Sequence, residues 1–364
     1  VSRGSWAFLV ILVVVAGGVL FGVRWANDQL QAEAGPDAGQ PVAFQVELGT
    51  SLPQLASDLE DDGVIRNATA FRVVARADGF YESLRAGDYE LETGMATDQV
   101  ITVLRAGPQG AEEVEFTVEE GLTVDQTLTR LVEQFPQYTA DDFRAELTAR
   151  LDAGGPGENV LSVPGVLPEV SEFGAEVRDP WEGLLFPQTY RVVAEASPRA
   201  ILQRMLDQLT NELDRITPEQ RDGIEARGLE LYEALVAASL IERETQVDDE
   251  RAIVSSVIEN RLEIGQALQI DATVLYAIDE QKDRVLIADT EVDSPYNTYS
   301  VQGLPPTPIS GFGRASLEAA LSPDDTPFFY YVLTPECDGR HVFAETLAGH
   351  NSNVAAFRAA DNCL

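Results

Sequence analysis

At 364 residues the chain is long enough for two or three domains, and an apolar share of 45% is ordinary for a protein with a real core. Its 61 acidic against 25 basic residues leave a formal charge of −36, a field that repels phosphate backbones and sets nucleic acid aside as a partner. Lys282 is the only lysine, which together with the acid excess reads as a coding habit of the host and not as mechanism.

In chain order, Ser5 to Val23 carries no charge. At ~1.5 Å of rise per residue this is close to the ~30 Å hydrocarbon thickness of a bilayer. Trp6 and Trp25 bracket it and Arg3 and Arg24 flank it, as interfacial residues do. The nearest A-x-A, Ala32-Glu33-Ala34, lies too far beyond the apolar run for a cleavable signal peptide. We therefore expect an uncleaved single-pass transmembrane anchor over 5–24, a cytoplasmic stub over 1–4, and everything else on the far side of the membrane. Residues 25–41 are polar, contain Gly35-Pro36, and read as a linker.

Val42 to Val46 alternates as a strand. Leu52, Leu55 and Leu59 recur at helical spacing, and Ala68 to Ala77 gives a second helix with Phe71, Val74 and Ala75 on one face. Gly87 to Leu91 is another strand and Thr97 to Leu104 another helix. These elements predict a small α+β module over 42–113, of a size suited to binding or spacing. From residue 114 a mixed α+β domain is expected to run to the end: a strand at Glu115 to Val118, helices at Val124 to Leu131, Asp141 to Ala153 and Pro198 to Ile216, and a Gly- and Pro-rich loop over Ala153 to Pro168.

Leu229 to Thr245 reads as a helix. Glu244 stands on it above Leu240, Ile241 and Ala237, an apolar face. A carboxyl group there is desolvated and stays protonated near neutral pH, as a general acid requires. Glu242 stands above Ala238, Ser239 and Leu235, so the wheel favours Glu244 modestly. Asp248 or Asp249 starts the next helix, whose stripe of Val254, Val257, Ile258, Arg261 and Leu262 ends at Gly265. His341 and His350 are the only histidines; their spacing matches no zinc site, and they read as structural, with no metal or cofactor expected. Cys337 and Cys363 could pair on the far side of a membrane.

Ala238 to Thr245 matches A-S-[IL]-[IV]-E-[KR]-E-T, and further blocks follow in order: Glu250-Arg251, Asn260-Arg261-Leu262, Gly265, Leu268-Gln269, Asp271, Thr273, Tyr276, Tyr296 to Tyr299, Gly303 to Pro306, Pro308-Ile309, Gly339 to Phe343 and His350-Asn351. In these motifs the chain resembles the endolytic peptidoglycan transglycosylases of the YceG-like (MltG) family. The resemblance implies that Glu244 is the catalytic acid, that the module over 42–113 is LysM-like, and that 114–364 is the YceG-like catalytic domain. It further implies action on nascent peptidoglycan glycan strands at the outer face of a bacterial cytoplasmic membrane, terminating strand growth beside peptidoglycan synthases and the elongation or division machinery. Gln269, Asp271, Thr273, Tyr296, Asn297 and Tyr299 are expected to bind the glycan, since aromatic faces suit sugar rings and amides suit N-acetyl groups. Asp271 is also the nearest candidate for a second carboxylate. Ala272 and Thr307 depart from the family, which commonly has Pro and Gly there, and Ser310 to Gly313 departs from its usual N-P-G.

Overall fold

The computed structural model describes residues 38–46, 50–108, 113–154, 160–168, 170, 173, 177–280, 282, 285–336 and 338–360. The expected anchor, most of the linker, Cys337 and Cys363 lie outside the described residues. Among the described residues no helix is long and apolar enough to cross a membrane. The fold is mixed α+β, with small two-stranded sheets among many helices. It divides into two compact units: one up to Val114 together with Val193–Ala196, the other Glu115–Val192 with the chain from Ser197 on.

In the first unit, strand β1 (Pro41–Val46) and strand β2 (Gly87–Glu92) pair antiparallel, with Phe44 opposite Tyr89 and Val42 opposite Leu91. Between them run helices α1 (Leu52–Asp61) and α2 (Ala68–Asp78), and α3 (Thr97–Ala106) follows. The strand, helix, helix, strand, helix order read from the sequence is the observed one. Ser51 and Asn67 cap α1 and α2 by accepting from Gln54 N and Ala70 N, so each helix starts where its first free N–H finds an oxygen. Leu55, Leu59, Phe71, Tyr89, Leu91 and Leu104 fill the core between helices and sheet.

In the second unit, β3 (Glu113–Thr117) pairs with β4 (Thr189–Val193). Helices α4 (Val124–Gln134), α5 (Ala140–Ala153), α6 (Pro198–Asp214) and α7 (Pro218–Ala226) precede α8 (Leu231–Glu244), with α4 packed on α5, α5 on α6 and α7 on α8. Helix α8 is buried from Ala234 to Ile241 on every face, so it is the central helix of the domain and not an amphipathic surface one. Its one hydroxyl there is satisfied twice: Ser239 Oγ donates to Val236 O at 2.7 Å and accepts from Ile309 N at 3.1 Å. A short 3₁₀ turn (Asp248–Glu250) leads into α9 (Arg251–Glu263), then come α10 (Asp271–Ile278) and α11 (Arg314–Leu321). The chain closes with an antiparallel hairpin of β5 (Tyr330–Leu333) and β6 (His341–Ala344), Tyr331 opposite Phe343, and helix α12 (Leu347–Ala359) against it.

Two positions in the aromatic segment before β4 set the tolerance of this domain. Gly183 has φ +75°, and a Cβ there would lie 2.6 Å from the Pro308 ring. Gly183→Ala therefore combines left-handed backbone with a collision against a rigid ring, and should lower the unfolding free energy by about 2–4 kcal/mol in denaturant titration. Glu182 is 3% exposed and accepts from Val124 N with both oxygens at 3.2 Å. Burial first, and the neighbouring charge of Asp179 second, push its carboxyl up to about 8. The folded state thus favours the protonated form. This stability is whole below the unfolded carboxyl's pKa of 4.5 and is lost as the pH rises through about 8. Glu182→Gln, which cannot ionise, should flatten the decline of the thermal midpoint between pH 5 and 9; an unchanged slope would show that Glu182 is not its source.

Candidate active site

Glu244 is the last residue of α8. Thr245 leaves the helix at φ −113°, ψ 131°, while its Oγ1 donates back to Ile241 O at 2.6 Å, so the turn below the acid is closed. The Glu244 carboxyl accepts one hydrogen bond, from Tyr331 Oη on β5 to Oε2 at 2.8 Å. Burial raises its pKa, and the negative charge of Asp271 acts in the same direction; the Tyr331 bond, His341 and Arg243 oppose it. Among the described residues this half-buried carboxyl has no ion-pair partner, and such a group is suited to hold a proton and give it up.

The neighbouring Glu242 serves a different purpose. Its Oε2 accepts from Gly313 N at 3.0 Å and Ser316 Oγ at 2.8 Å, at the start of α11. It thereby supplies the positive end of that helix with an anion. Arg251 NH2 lies 3.7 Å from its other oxygen, and Arg251 also donates to Thr245 Oγ1 and Ser316 Oγ. The motif's first glutamate thus binds α8 to α11, whereas the second is bonded to β5 through Tyr331. A Cβ at Gly313 would fall 1.9 Å from Glu120 Oε1, so a side chain there would require the Glu120 carboxyl to move.

The expected glycan-binding residues separate into two groups. Gln269 and Asp271 are exposed and Tyr299 is half-buried. Gln269 takes φ +52°, a left-handed conformation, and its N–H donates to Thr298 O at 3.0 Å. Asp271 opens α10, and its Oδ1 accepts from Tyr299 Oη. Burial, then this bond to Asp271, raises the Tyr299 pKa and keeps its hydroxyl a donor. Asp271, Tyr299 and Glu244 lie close enough to feel one another's charge.

Thr273, Tyr296 and Asn297 do not meet the expectation of sugar contact. They are 0%, 1% and 0% exposed, and their polar groups are already occupied. Thr273 Oγ1 donates to Ile270 O at 2.7 Å and sits 2.9 Å from Thr298 Oγ1. The hydroxyl of Tyr296 lies 2.7 Å from Thr307 Oγ1. Asn297 Nδ2 donates to Thr290 O and Val292 O at 2.9 and 2.8 Å, and its Oδ1 accepts from Tyr299 N at 3.1 Å. These three are the frame behind Asp271 and Tyr299. Thr307, one of the departures from the family's pattern, is wholly buried and is absorbed by this frame through its bond to Tyr296.

Several residues at the site were not singled out by sequence reasoning. Tyr331 touches Glu244 and Thr298 touches Thr273, while Glu250 reaches the site only through His341, which packs on Tyr331. Arg261 braces the loop before α10: its guanidinium donates to Leu268 O and to Phe329 O and lies over the Tyr330 ring. Arg261 and Asn260 stood in the motif blocks without a role. Asn260 Nδ2 donates to Thr326 O and Phe328 O, both at 2.8 Å, and so fixes the approach to β5. Among the described residues no group of three or more His, Cys, Asp and Glu side chains is placed to hold a metal ion.

Comparison with known proteins fits this geometry. The YceG-like family profile matches residues 44–356, and the chain belongs to that family. It is 32% identical to an endolytic murein transglycosylase of Bacillus subtilis, over 93% of this chain and 89% of that one. It is 27% identical to an endolytic murein transglycosylase of Streptococcus pneumoniae, over 96% of this chain and 64% of that one. A crystal structure of a yceG-like protein from Listeria monocytogenes superposes with a TM-score of 0.57 at 30% identity, covering 86% of this chain and 99% of that chain.

Asn297→Ala would strand the part-buried carbonyls of Thr290 and Val292 and the N–H of Tyr299. It should cost about 2–4 kcal/mol of stability in urea unfolding. A loss below about 0.5 kcal/mol would show that the frame does not depend on this side chain.

Proposed function

We propose that this protein is an endolytic murein transglycosylase that cleaves the MurNAc–GlcNAc bond with Glu244 as its single acid–base group. The observation that carries this reading is the half-buried Glu244 carboxyl, held by Tyr331 and raised in pKa. Membership of the YceG-like family and the names of the relatives support it.

Protonated Glu244 donates to the oxygen that links MurNAc to GlcNAc. The C1–O bond breaks and positive charge develops at C1. The C6 hydroxyl of the same MurNAc attacks C1, and the Glu244 carboxylate takes its proton. The products are a free GlcNAc 4-hydroxyl and a 1,6-anhydroMurNAc end. Glu244 is regenerated and no water is consumed. An internal nucleophile needs neither the bound water nor the second carboxylate of an inverting hydrolase. Gln269, Asp271 and Tyr299 line the approach to the sugar, while Thr273, Tyr296 and Asn297 hold that wall in place.

We read the protein as tethered to the cytoplasmic membrane through 5–24, with the first unit a LysM-like wall-binding module. The enzyme would then meet strands as they emerge from peptidoglycan synthases of the elongation or division machinery, and its cuts would terminate them.

Mass spectrometry of uncrosslinked glycan strands digested by the full chain in lipid tests this. Native protein should give internal cuts with anhydro ends, Glu244→Gln should give none while melting as a folded protein, and Glu242→Gln should still cut. Reducing ends would move the reading to a hydrolase using Asp271 as its second carboxylate. Loss of cutting in Glu242→Gln alone would overturn the choice of acid.

A further inference from the structure

The reaction as written leaves one set of contacts at the acid unused. Tyr331 Oη donates to Glu244 Oε2 at 2.8 Å. The Tyr331 ring meets the edge of His341, with centroids 5.2 Å apart at 79°, and leans on Phe343 at 6.1 Å. His341 is itself fixed by Glu250: its backbone N–H donates to both carboxylate oxygens at 3.0 and 3.1 Å, and its Nδ1 lies 2.8 Å from Oε2. A carboxylate only accepts, so Nδ1 carries the proton in that contact. Glu250 is buried at the end of the turn that follows α8. Glu250, His341 and Tyr331 thus form a continuous brace ending on one oxygen of the acid.

We propose that Tyr331 is a positioning residue that fixes which oxygen of Glu244 carries the proton. This rests on the reading of Glu244 as the acid. A carboxylic acid has one O–H and one carbonyl oxygen. With a phenol donating to Oε2, that oxygen is the carbonyl and the transferable proton sits on Oε1. Burial and the nearby Glu244 charge raise the Tyr331 pKa well above its usual value, so the phenol stays a donor through the cycle. When Glu244 loses its proton the same bond becomes charge-assisted and strengthens. Tyr331 therefore orients the acid before transfer and stabilises the carboxylate that must next collect the C6 proton. Its ring is set by His341 and Phe343, so this direction exists before any glycan binds.

The test is the pH–rate profile for cleavage of uncrosslinked strands by the full chain, with two replacements at one position. Tyr331→Phe keeps the ring and removes the donor. It should lower kcat by roughly ten- to a hundredfold, the worth of one charge-assisted hydrogen bond. Because the lost bond held the Glu244 pKa down, the alkaline limb of the profile should move to higher pH. Site-specific 3,5-difluorotyrosine at 331 keeps shape and hydroxyl but donates more strongly. It should move the same limb to lower pH with an unchanged thermal midpoint. A purely structural role predicts slower cleavage with the limb in its native place, and a limb unmoved in the difluorotyrosine protein would overturn the proposal even if Tyr331→Phe did not fold. Glu244→Gln run alongside separates the two readings. Cleavage by that variant would sink the acid assignment itself, whereas its silence with unmoved limbs would sink only the role of Tyr331.

Discussion

The second unit is organised around one unfavourable act: ending an all-round apolar helix with a carboxyl group that has no cation of its own. Helix α8 is buried through Ile241, so its C-terminus emerges from the core where water is scarce. Desolvation there disfavours the charged form, and the partial negative charge at a helix C-terminus acts in the same sense. The fold tolerates this because the remaining polar groups of the turn are satisfied. Thr245 bonds back to Ile241, Arg251 gathers Thr245 and Ser316, and Glu242 is spent on the first turn of α11. Among the described residues the Glu244 carboxyl has one hydrogen bond, from Tyr331, where Glu242 has two.

Arginines bear much of the remaining framework, and their geometry explains why. A planar fork can serve two or three oxygens at once, which a lysine cannot. Arg261 joins the loop before α10 to the start of β5, Arg251 joins α8 to α11, and Arg227 reaches Glu259 and the carbonyls of Ala320 and Leu321. Each of these arginines has at least one partner distant in sequence, Phe329, Ser316 and Ala320 respectively, so each fixes tertiary placement more than local helix formation. For the partly buried pairs, much of the role lies in leaving no oxygen or guanidinium unpartnered, since a lone buried charge is far costlier than a matched pair is favourable.

Local patterns were legible because they have local causes. The leucines of α1, the Gly265 stop after α9 and the β1 to β2 order follow from periodicity and turn chemistry. The preference for Glu244 over Glu242 came modestly from a helical wheel and chiefly from the resemblance; the structure places Glu242 against α11 and Glu244 against Tyr331. The roles of Thr273, Tyr296 and Asn297 were not legible. An amide or phenol in a loop reads alike whether it meets a sugar or a carbonyl, and only the fold shows Thr290, Val292 and Thr307 waiting as partners. Tyr331 was invisible for a related reason. Strand alternation places it with His341 and Phe343 on one face of the hairpin, but nothing local says that this face meets a residue 87 positions earlier.

Two carboxyls at the site, each held by a tyrosine, show how environment divides labour between like groups. Asp271 is exposed at the first turn of α10, and it accepts from Tyr299. Glu244 is half-buried at the last turn of α8, where the field disfavours its anion, and it accepts from Tyr331. Burial raises the pKa of Glu244, while an exposed carboxylate stands near enough to act on it. The standing charge of Asp271 in turn raises the affinity of Glu244 for its proton. A second carboxylate can therefore support the reaction electrostatically, without attacking C1 or activating water, and a one-acid mechanism is compatible with two acids in view of each other.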